Sequence, residues 1–240
     1  MAVTWTQHGP LVAPLYEDVL SDVDLVAFWP MNEAAGSTIY DRCQKNRLTG
    51  TVAGNPTYAK SLGNGFYGLD FDGTGDRITF TNPSSLDFAG TSPFSLLCLT
   101  VPNISVDGTI LSKSATSIGW EWYIEAAGYL NLFLRAAGGS IRVRHSVAIT
   151  NGALTMLGTT YSGSTTAAGV ILYKDGPVIA PTTITDTLGA GVTTNAGNAN
   201  IGSYQSGTRD YNGDIGFVAV FSAVKDPDDY RRWAHKAGIL

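Results

Sequence analysis

The sequence is poor in charge and has no long apolar run. Asp, Glu, Lys and Arg make up 15% of its 240 residues, against about 25% in a typical soluble domain. The formal net charge of −5 argues against a nucleic-acid partner, because such a surface needs Lys and Arg to neutralise phosphates. No apolar stretch approaches the roughly 20 residues that span a bilayer, so we expect no membrane partner.

Cysteine and histidine are also scarce. The two cysteines, Cys43 and Cys98, are expected to be free thiols in a reducing compartment, with a disulfide between them as the alternative. The three histidines are not spaced as a zinc site, and none accompanies a Gly-x-Ser-x-Gly nucleophile motif. The first ten residues lack the basic start and apolar segment of a secretory signal, so we expect synthesis in a cytosol without secretion by a signal peptide.

Short alternating segments fill most of the chain. In Ile141–Val147, Ile141 and Val143 face one side while Arg142 and Arg144 face the other, which is typical of a sheet with one buried face. Turns rich in Gly, Asn and Asp separate about a dozen such segments, and the Asp-Gly step at 175–176 favours a tight hairpin. The pattern predicts an all-β sandwich of two antiparallel sheets.

The two ends of the chain differ from this pattern. Asp226 followed by Pro227 predicts the start of a short C-terminal helix, since Asp is a good N-cap and Pro suits the first helical position. Residues 1–22 carry prolines and no period-2 alternation, and are predicted to form an extended arm preceding one domain at 23–240. The arm is apolar at Trp5, Leu11, Val12, Leu15 and Tyr16. It therefore packs either on its own domain or on a neighbouring subunit, and we favour the neighbour in a homo-oligomer such as a trimer.

An ordered series of motifs resembles the laminin-G-like branch of the concanavalin A-like lectin/glucanase jelly rolls. The series consists of Phe-Trp-Pro-Met-Asn-Glu from Phe28 with Asp41 after it, Phe-Asp-Gly at 71–73, Leu-Tyr-Lys-Asp-Gly at 172–176 and Asn-Gly-Asp-Ile at 212–215. The resemblance covers about residues 24–222 and implies a jelly-roll sandwich. Many relatives have a Trp-His-His-type strand where this chain has 153–161, so the chain is a divergent member.

The resemblance also suggests sites to examine. Related jelly rolls hold calcium with an Asp on the late strand, and Asp214 stands in the comparable place; the alternative is that Asp214 only satisfies turn amides. Laminarinase-type relatives carry Glu-x-Asp-x-x-Glu on one strand. Here Glu121 and Glu125 are one residue too close and lack the middle Asp. We therefore interpret them as a solvent-facing pair and predict no catalytic residues and no enzyme activity.

Aromatic residues around one hairpin are the candidate ligand contacts. They are Trp120, Trp122, Tyr123 and Tyr129. Since neighbouring positions on a strand face opposite ways, part of this set must point outward and offer amphipathic surface to a glycan or a protein.

Three functions remain open from the sequence. We favour a non-enzymatic structural virion protein of a tailed bacteriophage, such as a capsid decoration or auxiliary protein. It would be made in the host cytoplasm and would contact itself and a major capsid protein. This expectation rests on analogy, because fold does not determine function. The alternatives are a carbohydrate-binding module in a tail or receptor-binding protein, and a glycan-active enzyme, which the carboxylate spacing disfavours.

Overall fold

The structure, a computed structural model, describes residues 12–205 and 207–240. Its helices are α1 (Val12–Leu20) and α2 (Pro227–Lys236). The strands, in chain order, are β1 (Leu25–Trp29), β2 (Thr38–Ile39), β3 (Gly50–Ala53), β4 (Thr57–Gly63), β5 (Phe66–Asp72), β6 (Arg77–Phe80), β7 (Phe94–Pro102), β8 (Gly108–Ala115), β9 (Ile118–Ile124), β10 (Leu130–Ala136), β11 (Gly139–His145), β12 (Thr155–Tyr161), β13 (Val170–Lys174), β14 (Val178–Ile179), β15 (Pro181–Asp186), β16 (Ala199–Ile201) and β17 (Asn212–Phe221). Two single 3-10 turns cover Ser84–Leu86 and Ala167–Gly169.

The strands form two antiparallel sheets, which confirms the predicted jelly-roll sandwich. Sheet A has the order β14-β13-β12-β7-β17-β5-β4, with β1 also paired to β17. Sheet B has the order β15-β11-β10-β9-β8-β16-β6-β3-β2. Strand β17 is long enough for β5 to pair with its first half and β1 with its second half, so both ends of the domain are joined in one sheet.

The central core lies between the two sheets. Sheet B contributes the alternate side chains of its strands, including Trp120 and Trp122 from β9 and Leu132 from β10. Both indole N–H groups are satisfied inside this core: Trp120 Nε1 donates to the Leu86 carbonyl at 3.0 Å, and Trp122 Nε1 donates to Thr159 Oγ1 at 2.7 Å. Satisfied donors are what allow such large amphipathic rings to be buried.

A second core lies between sheet A and the two helices. Tyr230 of α2 stacks on Tyr173 with ring centroids 3.8 Å apart, and its hydroxyl lies 3.1 Å from the carbonyl oxygens of Leu96 and Thr159. Gly158 leaves the space for this ring, because a Cβ atom there would stand 2.1 Å from the Tyr230 ring. Sheet A is therefore covered on both faces, whereas sheet B is covered by strands on one face only.

The predicted extended arm is corrected in its described part. Residues 12–20 form helix α1, and Val12, Leu15 and Tyr16 are fully buried against the chain's own sheet A. Pro14 sits in the first turn of the helix, where a missing N–H costs nothing. Asp18 ties α1 to α2 through Arg232 at 2.8 Å and Lys236 at 3.0 Å. Trp5 and Leu11 lie outside the described residues.

Two local predictions are confirmed. Asp226 caps α2, accepting a hydrogen bond from the Asp228 amide, and Pro227 is the first helical residue. Asp175 and Gly176 both have positive φ in the tight turn between β13 and β14, as an Asp-Gly hairpin turn requires. Within the described ranges, no helix is long and apolar enough to cross a bilayer.

Candidate functional site

The outward-facing side chains of sheet B form a polar surface, here called the outer face. The strand registers place six of them in one row across the sheet. From β11 to β6 the row contains Arg142, Phe133, Glu121, Ser112, Asn200 and Thr79. Strand alternation explains this set, because Trp120, Trp122 and their inward neighbours take the opposite face.

Glu121 lies at the centre of one ion-pair cluster on the outer face. Its side chain is fully buried, and its Oε2 accepts hydrogen bonds from Arg135 Nη2 at 2.6 Å and Arg209 Nη1 at 2.7 Å. Thr109 Oγ1 donates to Oε1 at 2.8 Å. A buried carboxylate is stable only when it is paired in this way. The predicted solvent-facing position of Glu121 is therefore wrong.

Glu125 forms a second cluster with two neighbouring arginines of β11. Arg142 Nη2 donates to Oε2 at 2.7 Å, and Arg144 Nη1 donates to Oε1 at 2.9 Å. Asn131 lies between these groups, accepting a hydrogen bond from Arg142 Nε at 3.0 Å. Glu125 is also largely buried, so its predicted solvent-facing position is wrong as well.

Aromatic rings lie against the guanidinium groups of the outer face. The Arg135 guanidinium carbon is 3.9 Å from the Phe133 ring centroid and 4.9 Å from that of Tyr204, and the Arg144 carbon is 4.8 Å from that of Tyr129. Tyr123 is buried beneath Arg142 and Arg209. This burial raises the pKa of Tyr123 to about 12.

The loop between β16 and β17 folds over the outer face and carries three of its side chains. Tyr204 and Thr208 form an isolated bridge that narrows the loop. Gln205 and Arg209 both adopt positive φ, at 52° and 51°, a conformation that is uncommon for such residues. The resulting turn places Arg209 on Glu121 and brings Tyr204 within 3.2 Å of Ser114 Oγ.

A polar groove of about 300 Å³ adjoins this loop on the outer face. Its lining residues are Arg77, Thr79, Ser114, Asn198, Asn200 and Gln205. Thr79 Oγ1 donates to Asn200 Oδ1 at 2.9 Å, and Gln205 Nε2 donates to Tyr204 Oη at 3.1 Å. The groove therefore presents fixed hydroxyl and amide groups next to an aromatic ring.

The predicted aromatic ligand contacts separate between the two faces of sheet B. Trp120 and Trp122 point into the central core, so their assignment as ligand contacts is corrected. Tyr123 is on the outer face but is covered by arginines, and only Tyr129 of the set is half-buried at the surface. Sequence reasoning missed Tyr204, Gln205 and Arg209, because nothing in the alternation of β9 reveals a distant loop that folds over it.

Asp214 lies beside Asp70 on the opposite side of the sandwich, where β17 pairs with β5. Burial, and then the nearby Asp70 carboxylate, raise the pKa of Asp214 to about 6. The Lys60 ammonium is 3.4 Å from Asp70 Oδ2. Within the described residues, no group of three or more His, Cys, Asp or Glu side chains is placed to hold a metal ion. This donor set fits a carboxyl pair that shares a proton better than the six to eight oxygens of a calcium site.

A cavity of about 590 Å³ lies at the end of α1. It is lined by the helix end and by the loop around Cys43, and it includes the exposed residues Val23 and Tyr40. Its charged groups have both signs, since Asp22 and Asp41 oppose Arg42 and other basic side chains. The Asp41 carboxylate accepts hydrogen bonds from the backbone amides of Phe28, Cys43 and Leu48, so it holds this loop against β1.

Comparisons with known proteins agree on the architecture. A family model described as the concanavalin A-like lectin/glucanases superfamily matches residues 72–229, well over half of the chain. No curated protein matches the sequence.

Similar solved structures come from toxins. The binding domain of botulinum neurotoxin DC in complex with rat synaptotagmin II is 14% identical with a TM-score of 0.66, covering 89% of this chain and 52% of that one. The binding domain of Paraclostridial mosquitocidal protein 1 is 14% identical with a TM-score of 0.67, covering 88% and 52%. A structure described by the dependence of botulinum neurotoxin type C cell entry on two ganglioside molecules is 12% identical with a TM-score of 0.66, covering 92% and 53%. The chain thus spans about half the length of the structures it matches, and the likeness concerns the fold.

Proposed function

Because this chain belongs to the concanavalin A-like lectin/glucanase superfamily, we propose that it is a non-enzymatic carbohydrate-binding module. The polar groove on the outer face is the proposed ligand site. The observation that carries this proposal is the composition of that groove, in which side-chain amides and hydroxyls converge on a space of about 300 Å³.

The chemistry of the groove suits a sugar. Asn198, Asn200 and Gln205 line the groove and each offer an amide donor and an amide acceptor, while Thr79 and Ser114 offer hydroxyls that do both. A sugar presents the same mixture of donors and acceptors along its hydroxyls. Tyr204 adds an aromatic ring beside the groove, and rings of this kind are amphipathic enough to contact both sugar carbons and water.

The carboxylates of the outer face support binding rather than catalysis. A glycosidase needs one carboxyl group that donates a proton to the leaving oxygen and a second that acts as nucleophile or base. Here both oxygens of Glu121 and both oxygens of Glu125 accept hydrogen bonds, chiefly from arginine. Neither carboxylate lines the groove, and because both are paired with arginine, neither is placed as a glycosidase acid or nucleophile.

The similar toxin structures support a binding role in general terms. One of them is a binding domain in complex with rat synaptotagmin II, and another is described by its interaction with two ganglioside molecules. Those ligands belong to those proteins. For this chain they support only the view that the fold serves in binding.

The proposal is tested with an array of immobilised neutral and acidic oligosaccharides, followed by calorimetric titration of the strongest binder. Gln205→Ala and Arg77→Ala should each weaken that binder about tenfold, equivalent to about 1.4 kcal/mol, since each removes a groove contact. Gln44→Ala and Arg231→Ala are matched controls away from the outer face and should leave the affinity unchanged. Absence of any binder, or equal losses in the controls, would contradict the proposal.

A structural role in a bacteriophage virion is the second candidate. The feature that supports it is the sequence of residues 1–11, which precedes α1 and includes the apolar residues Trp5 and Leu11, because apolar segments of this kind can join subunits. If it mediates assembly, the full chain sediments as a homo-oligomer and deletion of residues 1–11 yields a monomer. This deletion retains α1, which the domain needs to cover sheet A. A full chain that sediments as a monomer at all concentrations, alone and with the major capsid protein, would count against this role.

A further inference from the structure

Arginine is concentrated on the outer face although the chain as a whole is acidic. Five of its nine arginines lie there, in the groove or in the two Glu clusters: Arg77, Arg135, Arg142, Arg144 and Arg209. In the two clusters, four arginines face three carboxylates, those of Asp107, Glu121 and Glu125. These seven groups carry a net charge of +1, in contrast to −5 for the chain.

In the Glu125 cluster, two arginines bind the Glu125 carboxylate in the way that an anion-binding site binds its ligand. Each carboxylate oxygen receives a hydrogen bond from a different guanidinium, Oε2 from Arg142 at 2.7 Å and Oε1 from Arg144 at 2.9 Å. Arginine binds planar oxyanions in this way because its N–H donors form a rigid fork. The contacts to Glu125 thus show that these two guanidinium groups are arranged to bind a carboxylate.

The two arginines keep unused donors at the surface. Their side chains are 28% and 36% exposed, respectively. The hydrogen bonds described for them use Nε and Nη2 of Arg142 and Nη1 of Arg144. The remaining N–H groups are available to a ligand that lies over β11, and the Tyr129 ring lies against the Arg144 guanidinium, with its centroid 4.8 Å from the guanidinium carbon.

A continuous path joins this pair to the polar groove. Tyr204 contacts Ser114 of the groove and also faces Arg135. Arg135 in turn lies on Phe133, and Phe133 is the direct cross-strand neighbour of Arg142. An oligosaccharide seated in the groove and extending towards β11 therefore reaches Arg142 and Arg144.

We infer that the preferred ligand is an acidic oligosaccharide whose anionic group, a carboxylate or a sulfate ester, binds to Arg142 and Arg144. This inference rests on the proposed function and names the ligand class of the same surface. Glu125 then has a specific effect, because it competes with the ligand for the two arginines. Its removal should strengthen acidic ligands, whereas the loss of a merely structural residue strengthens none.

The test uses one oligosaccharide backbone in neutral, carboxylated and sulfated forms, titrated calorimetrically at low and at high salt. We expect the acidic forms to bind at least fivefold more tightly than the neutral form at low salt. This difference should shrink as salt screens the exposed charges. Comparison of the carboxylated with the sulfated form identifies which anion fits the pair.

Two variants and one control complete the test. Arg144→Lys keeps the charge but loses the fork, and should weaken only the acidic forms about three- to tenfold. Glu125→Gln should strengthen the acidic forms several-fold and leave the neutral form unchanged. Arg231→Lys, on the exposed face of α2, is the matched control and should change nothing.

The outcomes separate the two proposals. Equal binding of neutral and acidic forms, with no effect of either variant, would overturn the inference and leave the carbohydrate-binding function standing. Failure of all three forms and of the whole array to bind would overturn both. If Glu125→Gln lowers the melting temperature, its effect on binding is not informative. Arg144→Lys then tests the inference alone, because the partly exposed lysine keeps the ion pair with Glu125 and so the fold.

Discussion

At the scale of single residues, Lys113 is a buried charge with four oxygen partners. Its side chain is fully buried at one end of the central core. The ammonium lies 2.7 Å from the carbonyl oxygens of Asn195 and Gly197, 3.0 Å from Asp87 Oδ1 and 3.2 Å from Asn82 Oδ1. The Lys113 side chain thereby connects the loop between β6 and β7 with the loop that precedes β16, a strand that lines the polar groove.

Replacing Lys113 by Met should therefore destabilise the fold strongly. The methionine fills similar volume but leaves Asp87 and two carbonyl groups without their donor, which costs about 3–5 kcal/mol when one partner of a buried pair is removed. Urea unfolding followed by fluorescence measures this change. Lys60→Met is the control, since its ion pair is exposed and should matter by less than about 1 kcal/mol. A loss for Lys113→Met no larger than that of the control would contradict this assignment.

The contribution of Asp214 to the free energy of unfolding should decrease as the pH rises, whereas the contribution of an ion-paired carboxylate usually increases. Its pKa is raised to about 6 in the folded chain, above an ordinary value of about 3.9. The folded state therefore binds the proton more tightly than the unfolded state does. The contribution of Asp214 to the free energy of unfolding falls as the pH rises from about 4 to about 6, and stays low above that.

Asp214→Asn should consequently stabilise the protein at pH 7.5 by about 1–2 kcal/mol and have little effect at pH 4. The measurement is urea unfolding at both pH values, with Glu17→Gln on the exposed side of α1 as the control. The same experiment with calcium and with a chelator tests the metal expectation. A variant that is less stable at pH 7.5, and only in calcium, would show that Asp214 holds a metal.

At the scale of elements, Gly158 of β12 controls how α2 lies on sheet A. A methyl group at this position would overlap the Tyr230 ring, so Gly158→Ala must displace the helix or the ring. Overpacking of this kind costs about 1–3 kcal/mol. We expect that loss in thermal unfolding, together with weaker near-ultraviolet circular dichroism from the Tyr173–Tyr230 stack.

Gly138→Ala is the matched control for this prediction. Gly138 lies in the turn between β10 and β11, and nothing lies within 4 Å of a Cβ atom added there. The control should change stability by less than about 0.5 kcal/mol. Equal effects at the two glycines would show that the contact between Gly158 and Tyr230 does not position α2.

Elements that are specified locally were predictable from the sequence. Asp226 and Pro227 predict the start of α2, and Asp-Gly predicts the turn at 175–176. In each case a few adjacent residues determine the local backbone conformation. Helix α1 was missed because residues 1–22 were searched for the period-2 alternation of a strand and, with their prolines, were interpreted as an extended arm. The spacing of Val12, Leu15, Tyr16 and Val19 is helical.

The candidate site was less predictable because it is assembled across strands. Strand alternation correctly separated Arg142 and Arg144 from Ile141 and Val143. It could not reveal that Glu125, from another hairpin, lies between those two arginines. Nor could it place Arg209 on Glu121, since 88 residues separate them in the chain. Contacts of this range depend on the strand order of sheet B, which no local pattern encodes.

At the scale of the whole molecule, sheet A is shared by two cores. Leu96 and Cys98 of β7 point into the central core, whereas Leu97 and Leu99 point towards the helices. Because the same strand packs in both cores, loss of packing in one core also disturbs the other. The domain should therefore unfold as one cooperative unit.

The two cysteines provide one probe in each core. Cys98 is fully buried between the sheets, and this burial raises the pKa of its thiol. Cys43 is buried under the helix layer, with its Sγ 3.5 Å from the Leu25 carbonyl oxygen. Because a thiol reacts as its thiolate and only when accessible, each should remain unreactive until its own core opens.

Thiol labelling across a urea gradient therefore tests cooperativity directly. In Cys98→Ala the reagent reports on the helix layer through Cys43, and in Cys43→Ala it reports on the central core through Cys98. For each variant, the urea concentration at which the thiol is labelled is expressed relative to that variant's unfolding midpoint, measured by circular dichroism. On this scale the two labelling curves should coincide. Labelling of Cys43 well below that midpoint would show that α1 and α2 detach first. In that case α1 would be an element that can leave sheet A while the sandwich and its outer face remain folded.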